Sequence, residues 1–247
     1  MAKSNGLGQA LYVSGYDLGD DIQQFATRCP IGTHDVTPIT KSAMERLYGQ
    51  RDGGITATAF FNDAAGRAHP RLSALPSADQ LITVSLSSTQ LVSVVAKQLN
   101  YDGNRAADGM LTFATDHTSN AYALEYGIHL TGGKRTDTGA TDGASVDLGS
   151  ASPGAFGAVF HLHVFAFTGT DATIKIQESS DNGAGDAWAD VVGATFTQIT
   201  SGPTWQRIAT AAIAVERYLR VVTTTSGGFS NLQFLVQGHR HPAQAVI

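Results

Sequence analysis

The chain has 247 residues, of which 42% are hydrophobic and 15% charged, and its formal net charge is −5. This length allows one large or two modest domains, each able to bury a core. The negative charge, with no Lys/Arg run longer than the pair Lys134-Arg135, argues against a broad nucleic-acid-binding surface. Charged residues are scarcer than the roughly 25% typical of globular proteins, and small residues take their place. Such a composition suits many strands joined by tight turns.

The two chain ends and the single cysteine narrow the class of protein further. Residues 1–10 are small and polar, which predicts a flexible arm, and the first residues lack the apolar core of a signal peptide. No apolar run approaches the ~18 residues of a membrane span. We therefore expect a chain made in the cytoplasm with no membrane partner. The lone Cys29 excludes an intramolecular disulfide and predicts a buried or half-buried small hydrophobe.

The segment 35–61 carries the strongest local signals. Ser42 and Glu45 have the spacing of a capping box, and Gly49 follows where a helix would end. These signals predict a short helix over 41–48. The β-branched and aromatic run 55–61 predicts a strand. A helix of two turns is marginal alone, so we expect it to brace a sheet through its apolar side chains, Met44, Leu47 and Tyr48.

The other elements of the first half predict a mainly β fold. A strand is expected over 11–13, a hairpin over 80–88 and 91–99, and a further strand over 110–115. No crossover long enough for a parallel pair appears, so the sheet is expected to be antiparallel. Residues 11–130 are therefore predicted to form an antiparallel β-barrel or sandwich braced by one short helix.

The second half predicts a separate all-β domain. Residues 131–155 are rich in Gly and Thr and poor in apolar anchors, which indicates a linker or an exposed loop. Over 156–241 the hydrophobic residues alternate and turn signals recur about every 8–12 residues, as in a β-sandwich. Residues 242–247 remain as a C-terminal tail. If the second domain is an addition, truncation near residue 155 should leave the first domain's function intact.

Motifs for catalysis and metal binding are missing from the sequence. It contains no nucleophile elbow, phosphate-binding loop or zinc-protease motif, so we expect no enzyme activity, cofactor or metal. His161 and His163 share a face of a predicted strand, and a structural pair is favoured over two metal ligands. Trp188 and Trp205 allow two interpretations: they line a glycan-binding face, or they cap the sandwich core.

Four charged residues of the segment 35–61 belong to no catalytic or metal-binding motif. We expect them to make contacts between subunits. They are Lys41, Glu45, Arg46 and Arg51.

The first 130 residues resemble the tail tube (major tail) proteins of long-tailed, non-contractile bacteriophages. The likeness lies in short sequence segments that occur in the same order as in that family. They are Tyr12-Val13-Ser14-Gly15-Tyr16-Asp17-Leu18, Asp35-Val36-Thr37, the charged residues from Lys41 to Arg46, the Gly49-to-Gly53 turn before 55–61, Val94-Val95-Ala96-Lys97-Gln98, and Asp108-Gly109-Met110-Leu111-Thr112-Phe113. Residues 156–241 resemble the extra β-sandwich domains that such proteins carry outside the tube.

The resemblance implies a virion protein that self-assembles into hexameric rings, stacked into a tube for genome delivery. Its implied partners are further copies of itself, a tape-measure protein and transiting DNA in the lumen, and the tail terminator and distal tail proteins. Two alternatives stay open. One is a virion surface or decoration protein whose C-terminal sandwich binds host-cell glycans, and the other is the tube of a contractile machine.

Overall fold

The computed structural model describes residues 9–241. Most of the arm predicted over 1–10, and the whole tail 242–247, lie outside the described residues. The elements in chain order are β1 (Leu11–Val13), β2 (Tyr16–Asp17), a 3₁₀ turn (Gly19–Asp21), β3 (Ile22–Arg28), β4 (Ile31–Asp35), β5 (Arg46–Arg51), β6 (Gly54–Phe60), α1 (Ala68–Leu72), β7 (Gln80–Ser85), β8 (Gln90–Gln98), β9 (Asp102–Arg105), β10 (Leu111–Ser119), β11 (Glu125–His129), β12 (Arg135–Asp137), β13 (Thr141–Asp147), β14 (Ala158–Gly169), β15 (Thr173–Ser179), β16 (Ala189–Thr195), β17 (Thr204–Ala209), β18 (Tyr218–Thr224) and β19 (Phe229–Arg240).

The predicted fold class is confirmed: over residues 9–241 the protein is mainly β, with antiparallel sheets, one short helix and no closed barrel. The helix is α1, however, and the helix predicted over 41–48 is wrong, because β5 and an irregular segment occupy those residues. In the described part of the chain, no helix is long and apolar enough to span a membrane.

The chain forms two compact units whose boundaries differ from the predicted ones. Among the described residues, the first unit, called the sandwich unit, comprises 9–17, 83–93 and 126–241; the second, called the arm unit, comprises 18–82 and 94–125. Both units are therefore discontinuous, and β7 and β8 each contribute residues to both of them. The sequence predicted two consecutive domains, 11–130 and 156–241, because local patterns do not reveal which distant strands pair.

The sandwich unit packs two antiparallel sheets around one apolar core. In one sheet the order is β17-β14-β19-β11, and in the other it is β13-β18-β15-β16. Alternation along β14 places Phe160, Leu162 and Val164 on one face, and all three are fully buried in this core. Phe234 of β19, beside β14 in the same sheet, joins this core, and β15 and β18 of the other sheet supply the opposing apolar residues, among them Ile174 and Val221.

The second face of β14 is buried as well, mainly against residues that lie much earlier in the chain. His163 lies on this face, and its Nδ1 accepts a hydrogen bond from the Gly15 amide at 3.1 Å. Its Nε2 lies 2.8 Å from Thr83 Oγ1. A small apolar cluster of Tyr12, Leu91 and Leu235 completes this side. The strands of 156–241 are thus covered by residues 9–17 and 83–93, which explains why they are not a separate domain.

Two strands lie within 131–155, where the sequence predicted a linker or an exposed loop. β12 pairs with β19 and β13 pairs with β18. The segment is anchored by polar contacts: the Arg135 guanidinium bonds both Asp137 oxygens, at 2.8 and 2.7 Å, and the Val221 carbonyl at 2.7 Å. Because these anchors are polar, the low apolar content of the segment gave no sign of them.

In the arm unit the strand order is β8-β10-β6-β3. β9 pairs with the first part of β10, along the edge of β10 that faces away from β6. Ile55, Ala57 and Ala59 of β6 are buried. The five-residue helix α1 is held by side chains from outside it: the buried Asp21 carboxylate accepts from the Ala68 amide at 3.0 Å, and Gln98 Nε2 donates to the Leu72 carbonyl at 2.7 Å. Such caps satisfy groups that a helix leaves open at both ends.

Candidate functional site: an exposed hairpin arm

The most distinctive surface of the arm unit is a two-stranded hairpin formed by β4 and β5, with residues 36–45 at its tip. We call residues 31–51 the hairpin arm. The two strands form a sheet of their own, with Thr33 opposite Tyr48, His34 opposite Leu47 and Asp35 opposite Arg46. Every residue of the arm except Thr37 and Gly49 is exposed. An isolated two-stranded hairpin is marginally stable in water. We therefore expect a partner surface to stabilise the hairpin arm.

The base of the tip is closed by side-chain and main-chain hydrogen bonds. Asp35 Oδ1 accepts from the Thr37 amide at 2.9 Å and from the Thr37 hydroxyl at 2.5 Å. These bonds hold the pKa of the Asp35 carboxyl below its usual range. The Glu45 amide donates to Thr37 Oγ1 at 2.8 Å, and the Val36 amide donates to the Glu45 carbonyl at 3.0 Å. Glu45, predicted to cap a helix, instead helps to close a hairpin.

The arm carries six large apolar side chains that its own chain leaves in water. The most exposed are Ile39 at 103%, Tyr48 at 85% and Leu47 at 60% of their full accessible surface. The others are Ile31, Val36 and Met44. The expectation that Met44, Leu47 and Tyr48 pack inward on a sheet is therefore wrong. Clustered exposed apolar side chains mark an interaction site.

All four charged residues expected to make subunit contacts lie on this arm. Lys41 Nζ pairs with Glu45 Oε1 at 3.0 Å across the tip. Arg46 begins β5, with its Nη2 2.9 Å from Met44 Sδ, and Arg51 ends the same strand. The structure thus places all four on one hairpin instead of a helix, and brings Lys41 and Glu45 into contact. Whether they touch another subunit stays a prediction.

Sequence reasoning missed the apolar residues of the arm as surface residues. The capping-box spacing of Ser42 and Glu45 favoured a helix, and a helix would have turned Leu47 and Tyr48 inward. A better signal was the β-branched run of residues 31–40, which is typical of a strand. Gly32 and Gly49 lie beside each other across the ladder, since a Cβ on Gly49 would come within 3.2 Å of the Gly32 carbonyl oxygen.

The two tryptophans lie on different strands or loops of the sandwich unit. Trp188 is half-buried just before β16, with the Arg220 guanidinium 4.7 Å from its ring centroid. Trp205 is half-buried on β17, opposite His163 of β14. No described contact brings these two rings together. The glycan-binding interpretation stays a prediction.

The remaining candidates for chemistry have structural partners. His161 and His163 are both fully buried, and among the described residues no group of three or more His, Cys, Asp or Glu side chains is placed to hold a metal ion. Cys29, predicted to be buried or half-buried, is exposed beside the arm. The prediction for Cys29 is wrong because the arm, which follows it at once, leaves the sheet.

A groove of about 440 Å³ in the sandwich unit is lined by Tyr126, Leu148, His239 and Arg240, among others. The Arg240 Nη1 already donates to the Ser150 carbonyl at 2.6 Å and to the Glu216 carbonyl at 3.2 Å. Arg240 therefore fastens the chain at 148–150, and we assign this groove no ligand.

The comparisons with known proteins give matches in structure alone. No protein-family model and no curated protein sequence matches the chain. A chain from the virion of a native gene transfer agent particle is similar at 17% identity and a TM-score of 0.42, covering 50% of this chain and 98% of its own. A chain from the tail of an empty gene transfer agent particle with C6 symmetry gives 16% identity and a TM-score of 0.41, covering 49% of this chain and 97% of its own.

A third solved structure spans nearly the whole chain. The Dit (gp 19.1) protein of SPP1, described as a hub adsorption apparatus in phages that infect Gram-positive bacteria, covers 94% of this chain and 98% of its own. Its identity is 12% and its TM-score is 0.32. These values describe a distant likeness of fold.

Proposed function

We propose that this protein is a structural subunit of a long-tailed phage virion, which assembles with copies of itself into the tail tube. The proposal rests on the hairpin arm. Residues 31–51 expose apolar and charged side chains that do not pack in the chain's own core. A subunit is suited to assembly when the side chains and strand edges of an exposed hairpin are covered only by a neighbouring subunit. The resemblance of residues 1–130 to tail tube proteins gives that neighbour an identity, namely a further copy of the chain.

The proposed assembly is a stack of hexameric rings around a channel for the genome. The charge distribution supports a conduit: residues 1–150 hold 11 Lys and Arg against 15 Asp and Glu, whereas residues 151–247 hold 5 against 6. A lumen with excess negative charge repels phosphate, so DNA slides without sticking. The proposed role is architectural, in the virion tail, with the tape-measure protein and DNA as transient occupants.

The experiment is deletion of the hairpin arm from the full chain. The Asp52 amide donates to the Pro30 carbonyl at 3.0 Å, so the base of the arm is already closed. A Gly-Gly link can therefore replace residues 31–51. We expect the unaltered protein to form rings or tubes with a central hole of DNA width in electron micrographs. We expect the armless variant to stay monomeric and folded, with a free energy of unfolding within about 1 kcal/mol of the parent.

The matched control is Val192→Ser, which removes another large exposed apolar side chain (74% exposed) from β16 of the sandwich unit. It should assemble normally, since ordinary exposed apolar residues need no partner. Compact monomers of the unaltered protein at high concentration would refute the proposed function. Rings formed equally well without the arm would refute the role given to residues 31–51.

A further inference from the structure

The arm unit contains three buried polar side chains with unpaired hydrogen-bonding atoms. They belong to Gln80 of β7, Gln98 of β8 and His117 of β10, which are 2%, 8% and 1% exposed. Among the described residues, four of their atoms have no hydrogen-bond partner: Gln80 Oε1, Gln80 Nε2, Gln98 Oε1 and His117 Nε2. The large majority of buried side-chain polar atoms in native proteins are paired, so these three residues indicate a further partner.

Gln98 and His117 are neighbours on the buried face of the sheet. They lie opposite each other across β8 and β10, and Ile55 lies opposite His117 across β10 and β6. Side chains at opposite positions point to the same face, and Ile55 is fully buried. The end of α1 contacts this face, because Gln98 Nε2 donates to the Leu72 carbonyl.

The register of the β7–β8 hairpin places Gln80 on the same face. The Leu86 amide donates to the Gln90 carbonyl at 2.8 Å and closes the turn. Six residues further along each strand, Gln80 lies opposite Ala96, which is two residues before Gln98. Residues two apart on a strand share a face, and long side chains reach their diagonal neighbours. The unpaired atoms of Gln80 and Gln98 therefore belong to one site.

Existing hydrogen bonds determine which unpaired atoms accept and which donate. Gln98 Nε2 donates to two carbonyl oxygens, of Leu72 at 2.7 Å and of Asn100 at 3.0 Å, so its unpaired atom is the amide oxygen, an acceptor. His117 Nδ1 lies 3.3 Å from the Ile55 carbonyl oxygen. Nδ1 therefore carries the proton, and Nε2 is an acceptor. Burial lowers the pKa of His117 to about 4, so this ring is neutral at pH 7.

We propose that the arm unit binds at least two internal water molecules, which bridge Gln80, Gln98 and His117. The site presents three acceptors, namely the two amide oxygens and Nε2. One water donates only two hydrogen bonds, so a single water cannot satisfy all three. The Gln80 amide nitrogen is a donor, which suits a ligand that also accepts and disfavours a metal ion. Internal waters typically make about three hydrogen bonds to buried polar groups.

The proposed waters connect three strands and the helix of the arm unit. Gln80, Gln98 and His117 belong to β7, β8 and β10, and Gln98 also bonds the end of α1. Because α1 has only five residues, it depends on partners outside the helix. All of these residues lie within the arm unit, so the inference is independent of the proposed assembly.

The first experiment locates the waters directly. In a density map of the full chain at about 2 Å resolution or better, we expect at least two solvent peaks about 2.6–3.2 Å from the unpaired atoms. Crystals or assembled material in electron cryo-microscopy can supply this map. A map of that quality without solvent peaks beside Gln80, Gln98 and His117 would overturn the proposal.

The second experiment is Gln80→Met in the full chain, which keeps the length of the side chain and removes both unpaired polar atoms. If waters bridge the site, the substitution removes their bonds to Gln80, and the urea midpoint of unfolding should fall by about 0.5 M. If the site contains no water, removal of a buried unpaired amide should raise the midpoint. The sign of the shift therefore distinguishes the two cases.

The matched control is Gln23→Met on β3, where the side chain is exposed. It should leave the urea midpoint unchanged, because exposed substitutions usually alter stability little. An unchanged or raised midpoint for Gln80→Met would overturn the internal hydration. Failure of the unaltered protein to form rings or tubes would refute the proposed function and would leave this inference standing.

Discussion

Asp21 is a buried carboxylate that joins separate parts of the arm unit through hydrogen bonds and an ion pair. Its side chain is 5% exposed and accepts hydrogen bonds from Asn62 Nδ2 at 2.8 Å and from the Ala68 amide at 3.0 Å. Arg67 Nε lies 3.8 Å from the same carboxylate. Two segments distant in the chain, the 3₁₀ turn and residues 62–68, thus meet at one residue, and the Asp21 carboxylate accepts from the first amide of α1.

We predict that Asp21→Ala lowers the free energy of unfolding by about 3 kcal/mol, because it leaves the Ala68 amide and the Asn62 side-chain amide without their acceptor in a buried setting. The measurement is urea denaturation followed by circular dichroism. Its neighbour Asp20 is the matched control: Asp20 pairs with Arg67 at 3.1 Å, but its side chain is 84% exposed. Asp20→Ala should cost less than about 1 kcal/mol. Equal effects of the two substitutions would contradict this account.

At the scale of elements, the hairpin arm shows the limit of local signals. Capping spacing, a following glycine and an apolar pair all favour a helix over 41–48. Two turns of helix gain few internal hydrogen bonds, whereas the hairpin pairs Thr33, His34 and Asp35 with a facing strand. Cross-strand pairing is therefore the more stable arrangement here. A stretch of sequence that ends near residue 40 contains β4 but not β5, so it cannot reveal that the two strands pair.

One face of strand β14 carries the buried His163, whose hydrogen bonds determine which ring nitrogen is protonated. His163 Nδ1 accepts the Gly15 amide, so Nε2 carries the proton and donates to Thr83 Oγ1. Thr83 bonds Ser93, whose hydroxyl donates to Gln237 Oε1. Burial lowers the pKa of His163 to about 3, with a smaller contribution from His161. In the arm unit, burial lowers the pKa of His117 to about 4.

We predict that the protein loses stability in mild acid. In the unfolded chain these histidines take up protons below about pH 6.5, whereas in the folded chain they stay neutral until about pH 4 or lower. The free energy of unfolding should therefore fall as pH drops from about 6.5 to about 4, by roughly 1.4 kcal/mol per pH unit for each such histidine. Denaturation curves at several pH values measure this slope. Constant stability between pH 7 and pH 5 would contradict the prediction.

At the scale of the whole molecule, the two units divide the chain in a way that changes what truncation should do. The sequence predicted that ending the chain near residue 155 would spare the first domain. The structure places β14 and β19 at the centre of the sandwich unit, where Leu235 packs with Tyr12 and Leu91. Removing them exposes Tyr12 and Leu91, which lie near the start and in the middle of the chain.

We predict that a chain ending at residue 155 does not fold cooperatively, because β1 and the first part of β8 lose the sheet that buries them. Thermal unfolding followed by circular dichroism, with size-exclusion chromatography, tests this prediction. The armless variant, which also removes a continuous segment but leaves both cores whole, serves as the comparison. A truncated chain with a sharp unfolding transition and a monomer peak would restore the original division at residue 155.

The sequence by itself determined the fold class and most of the strands. Alternation over 156–167 placed Phe160, Leu162 and Val164 on one buried face, and the absence of long crossovers predicted antiparallel pairing. These are local properties, because the side-chain period and the length of a connection can be read within about ten to twenty residues.

Only the tertiary structure decided which strands share a core and which surface stays unused. Residues 9–17 and 83–93 cover β14 and β19, which lie far along the chain, and the polar anchors of 131–155 carry no periodic pattern. The hairpin arm is the clearest case. Its apolar residues look like core residues in sequence, and only the three-dimensional packing shows that they remain in water, because burial depends on neighbours that a local pattern cannot identify.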